Sequence, residues 1–305
     1  MKWSLGIFVC LFFNLTARQW ESIPGNLRYD QGCYLTSHNS YAATDYGYLY
    51  AQQNLSIAKQ LELGVRGLKL ALSTEKDRLV LCHKSPALTR LLSRGKEPML
   101  FQDSLTEIST FLADNPDEVL TIFLEMNVNT PPALVDRTLE QSGLEKYILN
   151  PEDCSTEHTV WPSLHWMRTH NKRLVLFNYK ERTSFCFSKW HHVAENQWGT
   201  THSVKACKER PQSQKHQTKQ RSLYMLNYFP TIKFNYDNSY HSINTAGLES
   251  FLQRVLTRGL SSGSNYDLLP TFICIDFVDI GHGLEQISKI NNIRLQASLE
   301  NKVLT

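Results

Sequence analysis

Short apolar runs alternate with helix-period segments along almost the whole chain, and this alternation constrains the fold more than any other feature. The runs are Tyr34–His38, Val65–Leu72, Leu79–His83, Val119–Glu125, Arg173–Asn178, Ser222–Asn227 and Thr271–Val278. They are apolar nearly throughout rather than at every second position, which fits strands buried on both faces. Helical patterns fall between them, at Leu55–Leu63, Asp103–Ala113, Ala133–Ser142, Pro162–His170, Thr245–Arg258 and Gly283–Ile290. Asp103 and Thr245 stand as N-caps, and Asn115-Pro116 stops the second helix. Strand, helix, strand in repetition means parallel pairing. So many units favour a closed barrel over an open sheet, and the expected fold is α/β, a single TIM-type (β/α) barrel. The 305 residues suit one such barrel, and the sequence carries no internal repeat or low-complexity tract.

Residues 1–17 look like a secretion signal. Lys2 gives a positive start, Trp3 to Phe13 is apolar, and Leu15-Thr16-Ala17 resembles a small-residue cleavage site. A membrane anchor would need roughly 20 apolar residues, more than this run offers. The expected layout is a signal over 1–17 and one barrel domain over 18–305, with the mature, extracellular chain starting near Arg18. Apart from Cys10, the cysteines are Cys33, Cys82, Cys154, Cys186, Cys207 and Cys274. An even set in a secreted chain suggests disulfides, with Cys186–Cys207, which bracket one polar segment, the favoured pair. No short Cys or Cys/His spacing suits zinc. Asn54-Leu55-Ser56 is a glycosylation sequon. A net charge of +3 implies no dominating field for nucleic acid.

Two runs end in histidine, at His38 and His83. Residues at the carboxyl ends of parallel barrel strands line the active face, and two imidazoles there form a candidate acid–base pair. The segment Phe185–Arg221 breaks the rhythm. It is polar, basic toward its end, and reads as a solvated loop or, alternatively, a phosphate-attracting patch. Tyr46, Tyr48 and Tyr50 follow the first run, where aromatic side chains either pack or touch a bilayer. His165, His170, His241 and His282 have no motif around them.

Leu35-Thr36-Ser37-His38-Asn39-Ser40-Tyr41, Gly64-Val65-Arg66-Gly67-Leu68 and Leu81-Cys82-His83 together resemble the catalytic X-type domain of phosphatidylinositol-specific phospholipases C. The closer likeness is to secreted, single-domain phospholipase-C-like phosphodiesterases. Asp117–Glu125, Leu226–Thr231 and Phe272–Phe277 continue it in order, from about residue 30 to 290. The resemblance implies an incomplete or distorted barrel that cleaves a phosphodiester by internal attack, releasing a cyclic phosphate from a phosphoinositide. It implies His38 as general base, His83 as general acid, and Asp276 as the carboxylate that orients His38. The chemistry needs that set, with positive charge on the phosphate oxygens.

The chain departs from the pattern in supplying that charge. Metal-dependent relatives bind calcium through an asparagine after the first histidine, two acids on the second strand and a later glutamate. Asn39 and Glu125 match the first and last, but Lys69 and Ala71 stand where the acids would. Metal-free bacterial relatives carry an arginine at the Ala71 position, also missing here. No cofactor is therefore expected, and Asn39 and Glu125 alone make a poor calcium site. Strand parity turns Leu68, Leu70 and Leu72 toward the helices and Lys69 into the barrel mouth, where a partner such as Glu125 is expected. Lys69 then either replaces the metal or neutralises Glu125 in a decayed site. Arg66, at the start of the strand, is either structural or phosphate-binding. The expected function is a secreted phosphoric diester hydrolase acting on a phosphoinositide or related diester, in contact with a membrane surface. The alternative is a phosphate-binding pseudoenzyme on the same barrel.

Overall fold

The computed structural model describes Gly25 and residues 27–93, 95–154, 161–179, 183–199, 209–214, 222–230, 239–258 and 270–303. The expected signal, Cys10, Cys207 and the basic residues Lys205, Lys208, Lys215, Lys219 and Arg221 lie outside them. The strands are β1 (Tyr34–Ser37), β2 (Gly67–Glu75), β3 (Arg78–Leu81), β4 (Leu120–Met126), β5 (Leu174–Asn178), β6 (Phe187–Ser188), β7 (Val193–Glu195), β8 (Leu223–Asn227) and β9 (Phe272–Ile275). Eight of them pair in parallel in the order β6-β5-β4-β2-β1-β9-β8-β7. The sheet curls into a barrel left open between β6 and β7. The helices are α1 (Ile57–Leu63), α2 (Pro86–Leu92), α3 (Phe101–Asp114), α4 (Pro132–Gln141), α5 (Leu164–Thr169), α6 (Lys189–His192), α7 (Pro211–Gln214), α8 (Ser239–Ser242), α9 (Leu248–Arg258) and α10 (Gly283–Val303).

Strand parity sorts the apolar side chains into two layers. Leu68, Leu70 and Leu72 of β2 pack outward with Leu61, Leu105 and Ile108 of α1 and α3. Tyr34, Phe123, Phe177, Met225 and Phe272 point into the barrel, where Tyr29 and Trp161 join them. Phe123 and Phe177 stack at 5.3 Å, and Phe272 meets Phe123 edge-on at 5.0 Å. The interior is thus a packed core rather than a pore, each buried leucine or phenylalanine contributing about 1.5–3 kcal/mol. Gly67 of the Val-Arg-Gly motif faces Thr36 across the β1–β2 register. Any side chain there would collide with the threonine.

Several elements differ from the sequence expectation. The run ending in His83 is not a parallel barrel strand: β3 folds back antiparallel on β2. Lys76 and Asp77, both left-handed (φ 47° and 60°), make the two-residue turn. The polar segment from Phe185 is not simply a loop, since it supplies β6, α6 and β7. α3 begins two residues before Asp103, which lies in the first turn rather than at the cap. Thr245 falls in a kinked turn before α9, and α10 runs well past Ile290. The expected disulfides are also corrected: Cys33, Cys82, Cys186 and Cys274 are free, buried thiols. Cys33 belongs to the outer layer and Cys274 to the interior, so the sheet itself separates them. Among the described residues no helix is long and apolar enough to cross a membrane.

Arg66 sits at the amino-terminal end of β2, away from the mouth, and is wholly buried. Its Nε donates to Glu118 Oε2 at 2.8 Å, and its Nη1 to the carbonyls of Leu61 and Val65 at 2.7 and 2.8 Å. Its guanidinium also lies over the Phe111 ring. Arg66 is therefore a brace at the barrel floor and not a phosphate ligand. Removing one partner of a buried pair costs about 3–5 kcal/mol, because the other charge is stranded. Arg66→Met is expected to lower stability by that amount in urea unfolding, and an unchanged midpoint would contradict the brace.

Candidate active site

β1 and β9 are neighbours, with Ser37 opposite Ile275, so the next residues, His38 and Asp276, leave the sheet abreast. His38 Nδ1 lies 2.7 Å from Asp276 Oδ1. Asp276 is almost fully buried and His38 is partly open. A carboxylate there accepts from Nδ1–H and leaves Nε2 as the basic nitrogen. Tyr240 donates its hydroxyl to Asp276 Oδ2 at 3.3 Å. The Phe229 ring stacks flat on the imidazole, 3.8 Å between centroids and 6° between planes. The His38 imidazole thus has one nitrogen, one face and its orientation fixed.

His83 arrives differently. β2 overshoots the mouth and the hairpin returns, so Cys82 N–H pairs with the Ala71 carbonyl and His83 comes back over the barrel. Asn127 Nδ2 holds the Lys84 carbonyl at 3.0 Å, and Ser85 caps α2. The His83 ring reaches solvent, but the cleft walls surround it. Their desolvation lowers its pKa; Glu125 acts to raise it, while His38, Lys84 and Lys69 lower it further. The backbone marks all three residues. Asn39, Lys84 and Phe277, each directly after His38, His83 and Asp276, are left-handed, with φ of 46°, 73° and 49°. Such strain, about 1–3 kcal/mol per residue, persists only where the surroundings over-determine it, and it gathers at functional sites.

Lys69 points inward, as parity requires, but Glu125 is not its nearest partner. Phe123 is its register neighbour, whereas Glu125 lies beside Ala71, nearer the mouth and exposed. Lys69 Nζ is instead 3.7 Å from Glu195 Oε1 and 3.5 Å from Asn227 Oδ1. Glu195 is a wholly buried hub. Its Oε2 takes Lys189 at 2.5 Å and Arg210 at 3.1 Å, and its Oε1 accepts from Asn227 Nδ2 at 2.8 Å. Burial alone would raise Glu195, but Lys189, Lys69 and Arg210 hold it ionised, well below the usual carboxylate range. Burial pulls Lys69 down, while the negative charges of Cys274 (as its thiolate), Glu195 and Glu125 push it up, for a net shift above the ordinary lysine value. The contacts of Lys69 to this cluster are the longest in it.

His38, Asn39, Lys69, His83, Glu125 and Asp276 all line one cavity of about 480 Å³, with Phe229, Trp198 and Arg210. Of the residues expected at the site, Arg66 alone is elsewhere. Asn54, the expected glycosylation site, lies on the surface near the mouth, its amide hydrogen-bonded to Asp279 and Thr44. The sequence reading missed Glu195, Lys189 and Arg210. Arg210 had only the basic character of its segment as a signal, and Glu195 none.

The PI-PLC X family model (PI-PLC X 1) matches residues 26–291, which takes in every strand of the barrel. The chain belongs to this family. A PI-PLC X domain-containing protein of Arabidopsis thaliana is 28% identical over 289 residues, covering 88% of this chain and 64% of its own length. A protein of Arthroderma benhamiae described as an uncharacterized secreted protein is 21% identical, covering 81% of this chain and 58% of its own. The X domain here thus spans less than two thirds of either relative. The fold matches solved structures too. The phosphatidylinositol-specific phospholipase C of Listeria monocytogenes superposes with a TM-score of 0.59 at 17% identity, over 90% of this chain and 98% of that one. A Staphylococcus aureus phosphatidylinositol-specific phospholipase C variant gives 0.57 at 11% identity, over 88% and 96%. At these identities the likeness is one of fold.

Proposed function

We propose that this X domain is a phosphoric diester hydrolase that cleaves a phosphoinositide, or a related diester with a hydroxyl beside the phosphate. The observation that carries it is a single cavity lined by the His38–Asp276 pair, His83, Lys69 and Arg210. His38 Nε2 takes the proton of the headgroup hydroxyl, whose oxygen attacks the adjacent phosphorus. The phosphorus–oxygen bond to the leaving group breaks, and protonated His83 delivers a proton to that oxygen. A cyclic phosphate and an alcohol result. Lys69 and Arg210 stabilise the charge on the non-bridging oxygens. Calcium does not fit this donor set. Lys69 occupies the place of an acid, and the described residues contain no group of three or more acidic, His or Cys side chains able to hold a metal.

The test is the purified protein on phosphatidylinositol, a glycosyl-phosphoinositide and glycerophosphodiesters, with and without chelator, followed by phosphorus NMR. A cyclic phosphate is expected. Binding without turnover on every substrate would favour the pseudoenzyme, with Lys69 reduced to an ion-pair partner of Glu195.

The substrate is proposed to lie in a lipid surface. Leu49, Tyr50, Leu91, Val128 and Trp198 are exposed large hydrophobic residues. Tyr50 and Trp198 line the cavity, and Leu49 lies between the lining residues Tyr48 and Tyr50. Tyr46 is no part of this rim, since its hydroxyl bonds Glu107 at 2.7 Å. Leu49→Ser and Trp198→Ser are each expected to weaken vesicle binding about tenfold, from the lost apolar burial. Hydrolysis of a soluble, short-chain substrate should hold. Equal losses on both substrates would refute the rim. Secretion, with the mature chain starting near Arg18, belongs to the same proposal, and amino-terminal sequencing of the protein from culture medium tests it.

A further inference from the structure

One buried side chain bonds the ends of both strands that carry the proton-transfer pair. Gln53 is wholly buried. Its Nε2 donates to the carbonyl of His38 at 2.9 Å and to that of Ile275, directly before Asp276, at 3.2 Å. Its Oε1 accepts from the N–H of Val278 at 3.0 Å. Both amide hydrogens and the amide oxygen are therefore spent on the backbone that flanks the catalytic pair. The neighbouring carbonyl of Gln52 adds to the grip by accepting from Phe277 N–H at 2.8 Å. Gln53 is itself anchored, since its N–H bonds the Ala42 carbonyl at 3.1 Å and its carbonyl takes Thr44 N–H at 2.9 Å.

These contacts surround two of the left-handed residues, Asn39 and Phe277. A bulky residue such as phenylalanine rests in that region only when its neighbours leave it no alternative. Asn244 also contributes, donating to the carbonyls of Asp276 and Phe277 at 2.8 and 3.1 Å, but it holds the Asp276 side only. Among the described residues, Gln53 is the side chain that hydrogen-bonds the backbone on both sides of the pair.

We propose that Gln53 is a positioning residue: its amide fixes the spacing of the two strand ends and so sets the hydrogen bond from His38 Nδ1 to Asp276. It does not line the cavity, and it acts only through the pair. The catalytic consequence rests on the diesterase reading, but the geometric one does not.

The experiment is proton NMR of the unliganded protein. An imidazole N–H held by a carboxylate at this distance resonates well downfield of the amide region. Gln53→Leu keeps the volume and removes the amide, and it should abolish or broaden that signal. Gln53→Glu keeps an acceptor for Val278 and loses both donors, and it should do the same. The matched control is Asn291→Ala. Asn291 is another buried amide that clamps β1, bonding Cys33 N–H and carbonyl at 2.8 and 3.1 Å, but at the far end of the strand. That variant should lose stability and keep the signal. Where diester hydrolysis is measurable, Gln53→Leu should lower kcat on the order of 100-fold, as misplaced catalytic groups do, with KM within about twofold. Should neither variant fold, hydrogen exchange on the unmodified protein decides: the Val278 amide and the His38 ring proton must be lost together on warming. An unchanged downfield signal in folded Gln53→Leu, or separate loss of the two protons, overturns the proposal. Loss of the signal in a protein that hydrolyses nothing upholds the clamp and sinks the diesterase reading instead.

Discussion

Replacing His38 or His83 with alanine is expected to reduce diester hydrolysis by ~10²–10⁴-fold, the usual contribution of one general acid or base. The fold should survive both changes, since neither ring belongs to the apolar layers. Asp276, however, would lose its partner in His38→Ala, so that variant should also lose some stability. The pH profile separates the two roles. His83 must be protonated to act as the acid, so the rate falls as pH rises through its pKa. Desolvation and the nearby His38, Lys84 and Lys69 hold that pKa below the ordinary histidine value, with Glu125 opposing them. The alkaline limb of kcat/KM should therefore lie lower than an unperturbed histidine would give. Glu125→Gln removes the group that raises it, and the limb should move further down. Either alanine variant within about threefold of the parent rate, or an alkaline limb unaffected by Glu125→Gln, would remove the residue from its assigned role.

The outward leucines of β2 and the inward Lys69 were legible from parity alone, because a strand buried on both faces has only two sides. β1 and β9 were legible as well, and with them the placing of His38 and Asp276 at two strand ends. What parity could not give was register. Lys69 was expected to meet Glu125, since both belong to the mouth side. The pairing instead sets Lys69 beside Phe123, and Glu125 falls beside Ala71. β6 and β7, of two and three residues, are too short to carry a period, so Glu195 and Lys189 were hidden in a stretch that reads as polar. The β2–β3 hairpin was missed for a related reason. Lys76-Asp77 takes a turn that favours Asn-Gly or Asp-Gly, and nothing in its composition announces it. His83 was thus placed at the mouth correctly, but through a parallel strand that does not exist. Arg66 shows the reverse case. The motif around it is genuine, yet it lies at the end of the strand opposite the cavity.

Lys69 carries the sharpest expected result, because its surroundings make the outcome interpretable. Glu195 keeps Lys189 at 2.5 Å and Arg210 at 3.1 Å when Lys69 is removed. Lys69→Ala therefore strands no buried charge, and the barrel should remain folded. If Lys69 supplies the cation that calcium supplies in metal-dependent relatives, this variant should lose on the order of 10²–10³ in kcat, the effect of removing one group that stabilises transition-state charge. Hydrolysis by the unmodified protein should then survive chelation. Lys69→Asp combined with Ala71→Asp would add two carboxylates beside Asn39 and Glu125. That moves the site toward the oxygen-rich set calcium requires, usually six to eight ligands, and activity should become calcium-dependent. Two results would overturn the substitution of lysine for metal. One is calcium-dependent hydrolysis by the unmodified protein. The other is a Lys69→Ala variant that keeps its kcat while its unfolding midpoint falls, which would make Lys69 a cross-barrel tie from β2 to β7 and leave the phosphate to Arg210.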